Sequence, residues 1–334
     1  MFTAMILFEG GSVFFKTNIP MQNNIPKPNS KSLTDNAHKK LPNIYFIVFD
    51  GYTSFKSLRD FWNYDNVGIK QFLTSKGFMV ADNCVTPYSE TEKCIGAYLN
   101  MNLIKKIQKS QVYNTYSLLN NIKRNRTTNL LSSYGYQIVN LSIFDLLNKP
   151  RYYTFFEVQD IFGNSALSIV NKVIRKYSGI SNYATYENLM ISQILLKGDE
   201  LPCEQPFFIY AHFMLPHPAY DFNRYGLRQY SHDTISLEKM EYLEQILFAN
   251  RMIRIFVNRI LTKDKTKPII VIQGDHGFRN LSDTTAKAQN TEAHSLLNAI
   301  YLSNYSKTYY DHKTLENPLN NFRGIFKTIF NLDL

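Results

Sequence analysis

One apolar stretch that ends on an acid and an imidazole constrains this chain more than any other part of its sequence. Residues 269–272 are Ile-Ile-Val-Ile, an unbroken β-branched run that is typical of a central strand in a covered parallel sheet. Asp275 and His276 follow, bracketed by Gly274 and Gly277, which allow the backbone to turn sharply beside a ligand. Ligands of open α/β sheets bind at the carboxyl ends of strands. The pattern therefore predicts a functional site here, with a solvent-facing turn as the alternative.

A second apolar segment, far upstream, ends in the same way. Residues 42–49 are mostly apolar, and Asp50 and Gly51 follow them directly. Because parallel strands bring their carboxyl ends to one edge of a sheet, we predict that Asp50 meets Asp275 and His276 at that edge. Carboxylates and imidazoles are good ligands for zinc and manganese. The two strand ends together therefore predict a functional site better than either does alone.

Length, composition and charge limit the class of protein and its partners. The 334 residues and the 44% hydrophobic content fit one large α/β domain or two ordinary ones with a substantial core. The formal net charge of +10 favours phosphate esters or an acidic membrane surface as partners. No dense Arg/Lys tract occurs, so nucleic acid is not expected as a partner. The cysteines, Cys84, Cys94 and Cys203, are odd and few in number, which argues against a disulfide framework. No C-x-x-C spacing occurs among them, which argues against a thiolate zinc site.

The first 41 residues are predicted to be an N-terminal segment and linker, with the folded domain over residues 42–334. Residues 17–41 are rich in Asn, Pro, Lys and Ser, which is typical of a linker. Residues 1–15 are fairly apolar but shorter than the about 20 residues that span a bilayer. They also lack the basic start and cleavage site of a signal peptide. We interpret them as the remnant of a membrane anchor or as an ordinary strand or helix.

Strands and helices alternate along the rest of the chain. Further strands are predicted at residues 78–81, 136–141, 206–212 and 299–302, and helices at 67–75, 115–133, 184–196, 237–261 and 321–331. Strands separated by helices throughout indicate an α/β fold with a doubly wound, mostly parallel sheet flanked by helices.

A helix predicted to begin near Thr91 brings a hydroxyl into consideration. A hydroxyl at a helix N-terminus is commonly a cap. Because helix amides at that end also hold phosphate oxygens, Thr91 is equally a candidate nucleophile. Thr86 and Ser89 are competing hydroxyls in the loop before it.

Two histidines follow another buried strand. Residues 206–212 end on His212, and His217 follows between two prolines, which hold it on a rigid, non-helical loop. The pair indicates a phosphate-binding or metal-binding role, with a hydrogen-bonded core histidine as the alternative. Arg279 lies close enough in sequence to His276 to reach an anion in the same site.

Taken in order, these motifs resemble the alkaline phosphatase/sulfatase superfamily. The resemblance is closest to its membrane-linked branch, which includes lipoteichoic acid synthases and phosphoethanolamine transferases. It extends from about residue 42 to the C-terminus and rests on segments 43–52, 88–91, 99–101, 215–218, 275–277 and 297–302. It implies an alkaline phosphatase-like catalytic domain over residues 42–334 and a divalent cofactor, one or two zinc or manganese ions.

The resemblance also implies roles for individual residues. The implied metal ligands are Asp50, Thr91, Asp275, His276 and, at the position of a second metal, His294. Thr91 falls where the family has its hydroxyl nucleophile. His217 and His212 resemble the histidine pair that phosphoethanolamine transferases place beside the substrate, and His217 is also the implied catalytic proton donor.

The function implied is that of a metal-dependent phosphoryl-group transferase or phosphodiesterase. Its substrate would be an anionic, phosphorylated lipid headgroup or cell-envelope glycan, handled at a membrane surface on the extracytoplasmic side or in the periplasm. A non-catalytic module that binds the same ligands is one alternative, favoured by the polar segment 92–94 after Thr91. A sulfatase is another, but sulfatases build their nucleophile from C-x-P-x-R or S-x-P-x-R, and neither Cys84 nor Cys94 begins such a motif.

Overall fold

The computed structural model describes most of the chain from residue 41 onward. The described residues are 41–104, 115–147, 149–150, 188, 191–192, 195, 206–218, 220–227, 235–279, 281, 285–303 and 309–334. The strands are β1 (Ile44–Phe49), β2 (Met79–Val80), β3 (Cys84–Val85), β4 (Gln137–Leu141), β5 (Phe207–Phe213), β6 (Ile269–Gly274), β7 (Ser295–Leu296) and β8 (Asn298–Leu302). The helices are α1 (Phe55–Trp62), α2 (Val67–Ser75), α3 (Thr91–Asn100), α4 (Thr115–Lys123), α5 (Arg126–Ser133), α6 (Ile235–Lys263), α7 (Ala286–Ala293), α8 (His312–Leu315) and α9 (Asn320–Phe330).

The central sheet has six strands in the order β2-β8-β6-β1-β5-β4. β1 pairs in parallel with β5 and with β6, and β4 pairs in parallel with β5. At one margin β8 is antiparallel to β6, and β2 is antiparallel to β8. β3 and β7 form a separate two-stranded antiparallel sheet. The prediction of a mostly parallel sheet flanked by helices is confirmed.

Both faces of the sheet are covered, which explains why its central strands are apolar throughout. Every residue of β1, β5 and β6 is buried. Successive side chains of a strand point to opposite faces, so Ile47 of β1 lies in the core that includes residues of α6, and Phe46 lies in the core that includes residues of α3 and α9. The strand ends are thereby held between two packed layers.

One predicted helix is two helices in the structure. The prediction of a single helix over residues 115–133 was wrong, because α4 ends before Asn125 and α5 begins after it. Asn125 has an extended backbone, and its side chain accepts a hydrogen bond from the Thr128 amide at 2.8 Å. Asparagine is among the strongest N-cap residues, and this signal outweighed the helical period of the surrounding sequence.

Several predictions fall outside the described residues. These are the N-terminal segment and linker up to residue 40, Cys203, and most of the helix predicted over residues 184–196. Cys84 and Cys94 are buried, free thiols. None of the helices in the described part combines the length and the apolar character needed to cross a membrane.

Candidate active site

The register of the two central strands places the acids that follow them side by side. β1 pairs with β6 so that their last residues lie opposite each other, and Asp50 and Asp275 come next. The Gly51 amide donates a hydrogen bond to Asp275 Oδ1 at 2.9 Å, and the His276 amide donates to the same oxygen at 2.8 Å. Asp275 therefore joins the two loops to each other, and both acids are buried.

Helix α3 brings a hydroxyl to this edge of the sheet. Thr91 is its first residue, and Thr91 Oγ1 lies 3.3 Å from His276 Nε2. Two turns further on, the Tyr98 hydroxyl donates to the Asp275 carbonyl at 2.6 Å, which fixes α3 against the loop after β6. The N-cap position belongs to Glu90. Thr91 therefore does not cap α3, and its hydroxyl contacts the imidazole of His276.

The competing hydroxyls in the same loop make other contacts. Thr86 Oγ1 lies 3.5 Å from Cys94 Sγ and accepts from the Tyr88 amide at 3.3 Å. Ser89 is half-buried, and its amide donates to the side chain of Glu90. Asp50, Asp275 and His276 form a cluster at this edge of the sheet. Of these hydroxyls, only that of Thr91 has a described hydrogen bond to the cluster.

Two buried carboxylate oxygens in the cluster have no hydrogen-bond partner among the described residues: Asp50 Oδ1 and Asp275 Oδ2. His276 Nε2 lies 3.6 Å from the first and 3.4 Å from the second. Nδ1–H of the same ring donates to the Gly277 carbonyl at 2.6 Å, so Nε2 is the ring nitrogen that faces the two carboxylates. Buried polar atoms are rarely left without partners. The arrangement therefore fits a divalent cation held by these three residues, with the Thr91 hydroxyl beside it.

His212 lies in the same cluster. It is completely buried, with Nε2 3.3 Å from Asp50 Oδ2 and Nδ1 2.8 Å from the Tyr210 hydroxyl. Asp50, His212 and Asp275 form a second donor set, whose ligand atoms all lie within 4.8 Å of one another. These contacts favour a role for His212 in metal binding or in orienting Asp50. The predicted substrate-binding role of His212 stays a prediction.

The electrostatic environment keeps Asp50 ionised. Burial by itself raises the pKa of this carboxyl, but the nearby imidazoles of His217, His212 and His276 lower it, His212 also through a hydrogen bond. The resulting pKa lies well below its ordinary value of 3.8. An ionised carboxylate at neutral pH is what metal binding requires.

A pocket of about 350 Å³ opens beside the cluster. It is lined by Gly51, Pro216, His217, Pro218, Tyr242, His276, Gly277, Phe278 and Arg279. Arg279 Nη2 lies 3.4 Å from His217 Nε2, while His217 Nδ1–H donates to the Pro218 carbonyl. Two of the three predicted substrate-binding residues, His217 and Arg279, therefore share one pocket with His276.

His294 is connected differently. It follows α7, and its Nδ1–H donates to the Asn290 carbonyl at 2.7 Å. Its own carbonyl accepts from the Thr86 amide at 2.8 Å. These described contacts join it to its own helix and to the loop before α3, and its role as a second metal ligand stays a prediction.

Two side chains that sequence analysis missed hold the loops of the site in place. The Tyr242 hydroxyl, from α6, donates to the Gly51 carbonyl at 2.8 Å. The Glu292 carboxylate, from α7, accepts from Trp62 Nε1 and from Thr53 Oγ1, each at 3.0 Å. Both residues come from helices remote in sequence and belong to no motif, so no local signal identified them.

Glu292 is expected to make stability depend on pH. Burial raises its pKa from 4.5 to about 7, only partly offset by hydrogen bonds from Trp62, Thr53 and the Phe278 backbone. The folded state then binds a proton that the unfolded state has lost, so the stabilisation is complete below about pH 4.5 and is lost as the pH rises through about 7. We expect Glu292→Gln to remove this loss, about 3 kcal/mol of unfolding free energy, in urea titrations between about pH 4 and about pH 8.

A surface carboxylate provides the control for that experiment. Glu244 is paired with Arg224, which lowers its pKa. Glu244→Gln should therefore leave the decrease between acidic and neutral pH in place. A Glu292 variant with the same pH slope as the unmodified protein would contradict the assignment.

Comparison with known proteins begins with the family scan. The family model described as Sulfatase matches residues 81–327, a range that includes Thr91, His217, Asp275 and His276 and begins after Asp50. No curated protein matches the chain.

Solved structures share the fold at low sequence identity. The zinc complex of the C-terminal periplasmic domain of EcEptC from Escherichia coli has a TM-score of 0.53 at 10% identity, covering 87% of this chain and 83% of that one. A sulfatase described with the metabolism of multiple glycosaminoglycans by Bacteroides thetaiotaomicron has a TM-score of 0.54 at 12% identity, covering 86% and 72%. The integral membrane protein lipooligosaccharide phosphoethanolamine transferase A from Neisseria meningitidis has a TM-score of 0.50 at 9% identity, covering 88% and 55%.

Proposed function

This chain belongs to the sulfatase family, and from that premise we propose that it is a metal-dependent phosphoryl-group transferase or phosphodiesterase with Thr91 as its nucleophile. Family membership makes it a sulfatase-like hydrolase or transferase with the alkaline phosphatase-like fold. The proposed catalytic domain covers residues 42–334. The proposed substrate is a phosphorylated lipid headgroup or a cell-envelope glycan.

One observation carries the proposal. Asp50 Oδ1 and Asp275 Oδ2 are buried without a described hydrogen-bond partner, and both lie within 3.6 Å of His276 Nε2. Thr91 Oγ1 lies 3.3 Å from the same nitrogen. A cation-binding set with an alcohol at its side is what a threonine nucleophile needs, because an unassisted hydroxyl is a poor nucleophile at neutral pH.

Zinc or manganese, when bound by Asp50, Asp275 and His276, would lower the pKa of the Thr91 hydroxyl and offset the charge of the phosphoryl oxygens. The Thr91 hydroxyl gives up its proton to solvent, Oγ1 attacks phosphorus, and the bond from phosphorus to the leaving oxygen breaks as the bond to Oγ1 forms. The protonated form of His217 gives a proton to the departing oxygen, and the neutral ring later takes one from the incoming water or alcohol. That second attack releases Thr91 and completes the cycle.

The acceptor in the second step decides between hydrolysis and transfer. Water gives a phosphodiesterase, and a second alcohol gives a transferase. Similarity to a periplasmic domain and to an integral membrane transferase supports work at the extracytoplasmic face of a membrane or in the periplasm. The names of the similar structures refer to lipooligosaccharide and glycosaminoglycans, which supports an anionic substrate linked to a lipid or a glycan.

Phosphoryl transfer is preferred over sulfate ester hydrolysis because of the cysteines. Neither Cys84 nor Cys94 begins a C-x-P-x-R motif. Both thiols are buried, and burial raises the pKa of each. A buried thiol with a raised pKa is chemically inert, so Thr91 is the better nucleophile.

A direct comparison of substrates tests the proposal. Protein loaded with zinc or with manganese is assayed against an aryl phosphodiester and the corresponding aryl sulfate. We expect the phosphodiester to have a kcat/KM at least about tenfold higher, about 1.4 kcal/mol in transition-state stabilisation. Preferential turnover of the sulfate would contradict phosphoryl transfer, and binding of both without turnover would favour a non-catalytic module.

A further inference from the structure

We propose that Arg279 and His217 form an anion subsite that selects substrates by the charge of the organic group on phosphorus. Anionic and uncharged groups are accepted there, and amines are rejected. The inference rests on the proposed function, because it concerns the same pocket. It adds a rule of substrate choice that the cation cluster itself does not supply.

The first argument is the arrangement of the two basic side chains. Arg279 is exposed, and its Nη2 lies 3.4 Å from His217 Nε2. No carboxylate of the described residues forms an ion pair with Arg279, whereas Arg224, also exposed, is paired with Glu244. This contact uses one N–H of the guanidinium, and its other N–H groups have no described carboxylate partner, so a bound anion would stabilise them.

The second argument is the chemistry of the pocket lining. None of the described residues that line the pocket is acidic. The neighbouring carboxylates, Asp50, Asp275 and Glu292, are 1%, 0% and 0% exposed. The first two belong to the proposed cation site, and the third accepts from Trp62 and Thr53. An ammonium group in this pocket would lose water and meet Arg279, and none of the described lining residues supplies an acid to compensate it.

Aromatic side chains do not replace the missing acid. Tyr242 and Phe278 line the pocket but are only 1% and 5% exposed. Trp62 packs against both rings, with centroids 4.5 Å from Tyr242 and 4.9 Å from Phe278. A cation–π contact needs an accessible ring face. The rings of Tyr242, Phe278 and Trp62 pack against one another and leave little of their surface exposed.

Three chromogenic substrates of nearly equal size test the proposal. They are the p-nitrophenyl phosphodiesters of glycolate, ethylene glycol and ethanolamine, whose organic groups are anionic, uncharged and cationic. We expect kcat/KM to fall in that order, by about tenfold or more from first to last, as one charge-assisted contact predicts. Arg279→Lys should keep the order, Arg279→Gln should remove most of it, and Arg279→Glu should reverse it.

A matched control is available on α6. Arg251 is an exposed arginine that donates to the Arg224 carbonyl, and it does not line the pocket. Arg251→Gln makes the same change in net charge as Arg279→Gln and should leave the substrate order unchanged. An order that is the same in Arg279→Gln as in the unmodified protein, or a preference for the ethanolamine ester, would overturn the subsite.

A binding measurement separates failure of the subsite from failure of the proposed function. Phosphoglycolate and phosphoethanolamine are titrated calorimetrically into the zinc-loaded protein and into Arg279→Gln. Binding that follows charge and depends on Arg279, without turnover of any ester, would retain the subsite and reject the catalytic function. Turnover of all three esters with equal affinities for the two ligands would retain the function and reject the subsite.

Discussion

Asp275→Ala is expected to strip the protein of bound metal and to lower phosphodiester turnover on the order of 10³-fold or more. Asp275 Oδ2 is one of the two buried carboxylate oxygens without a described partner, and Oδ1 holds the Gly51 and His276 amides. The variant therefore loses a ligand together with the contact that joins the two loops. Metal content per protein, measured by mass spectrometry after gel filtration, is the primary result, and steady-state kinetics follow.

Asp275→Asn separates these two effects. Its side-chain oxygen can still accept from both amides, but the negative charge toward the cation is gone. We expect metal to be lost while the fold is kept. With metal removed by a chelator, the unmodified protein has two buried carboxylates, Asp50 and Asp275, beside the imidazole of His276. Asp275→Asn removes one of these buried charges, so this variant should unfold at a higher temperature than the unmodified protein.

An acid at the opposite edge of the sheet serves as the matched control. Asp264 is half-buried and accepts from the Tyr45 hydroxyl at 2.8 Å and from the Asn43 amide group at 3.0 Å. Asp264→Asn should leave metal content unchanged. Full metal content in either Asp275 variant would refute the proposed cation site.

Sequence alone predicted the sheet and the meeting of its acids because both follow from one rule. Apolar β-branched runs specify central strands, and neighbouring parallel strands end at the same edge. The pairing of β1 with β6 then places Asp50 beside Asp275 without any further information. The start of α3 at Thr91 was equally predictable, and the helix direction brings that residue to the same edge.

The remaining features depend on contacts between remote segments. Glu292 bonds to Trp62 and to Thr53 across more than two hundred positions of sequence, and no local period encodes such a pair. The family resemblance implies a place beside the substrate for His212, and that role stays a prediction. The alternation of side chains along β5 directs His212 into the cluster, where it meets Asp50. Spacing predicts neighbours along the chain, but the pleat of a strand decides which face each side chain occupies.

Thr91 offers a substitution whose effect on catalysis can be separated from its effect on folding. The one described hydrogen bond of its hydroxyl is the 3.3 Å contact with His276 Nε2, and the N-cap of α3 is Glu90. Valine has nearly the same shape as threonine and lacks the hydroxyl. Thr91→Val should therefore change the unfolding free energy by less than about 1 kcal/mol. The same substitution removes the attacking oxygen entirely.

On that basis, Thr91→Val is expected to lower kcat on the order of 10⁴-fold, with metal content retained through Asp50, Asp275 and His276. Thr91→Ser keeps an alcohol and should recover a large part of the activity. Acid quenching during turnover, followed by peptide mass spectrometry, should find a phosphoryl group on Thr91 in the unmodified protein and none in Thr91→Val. A phosphoryl group on Ser89 or elsewhere would move the nucleophile. Undiminished kcat in Thr91→Val would exclude a threonine nucleophile at this position, because valine differs from threonine only by a methyl group in place of the hydroxyl.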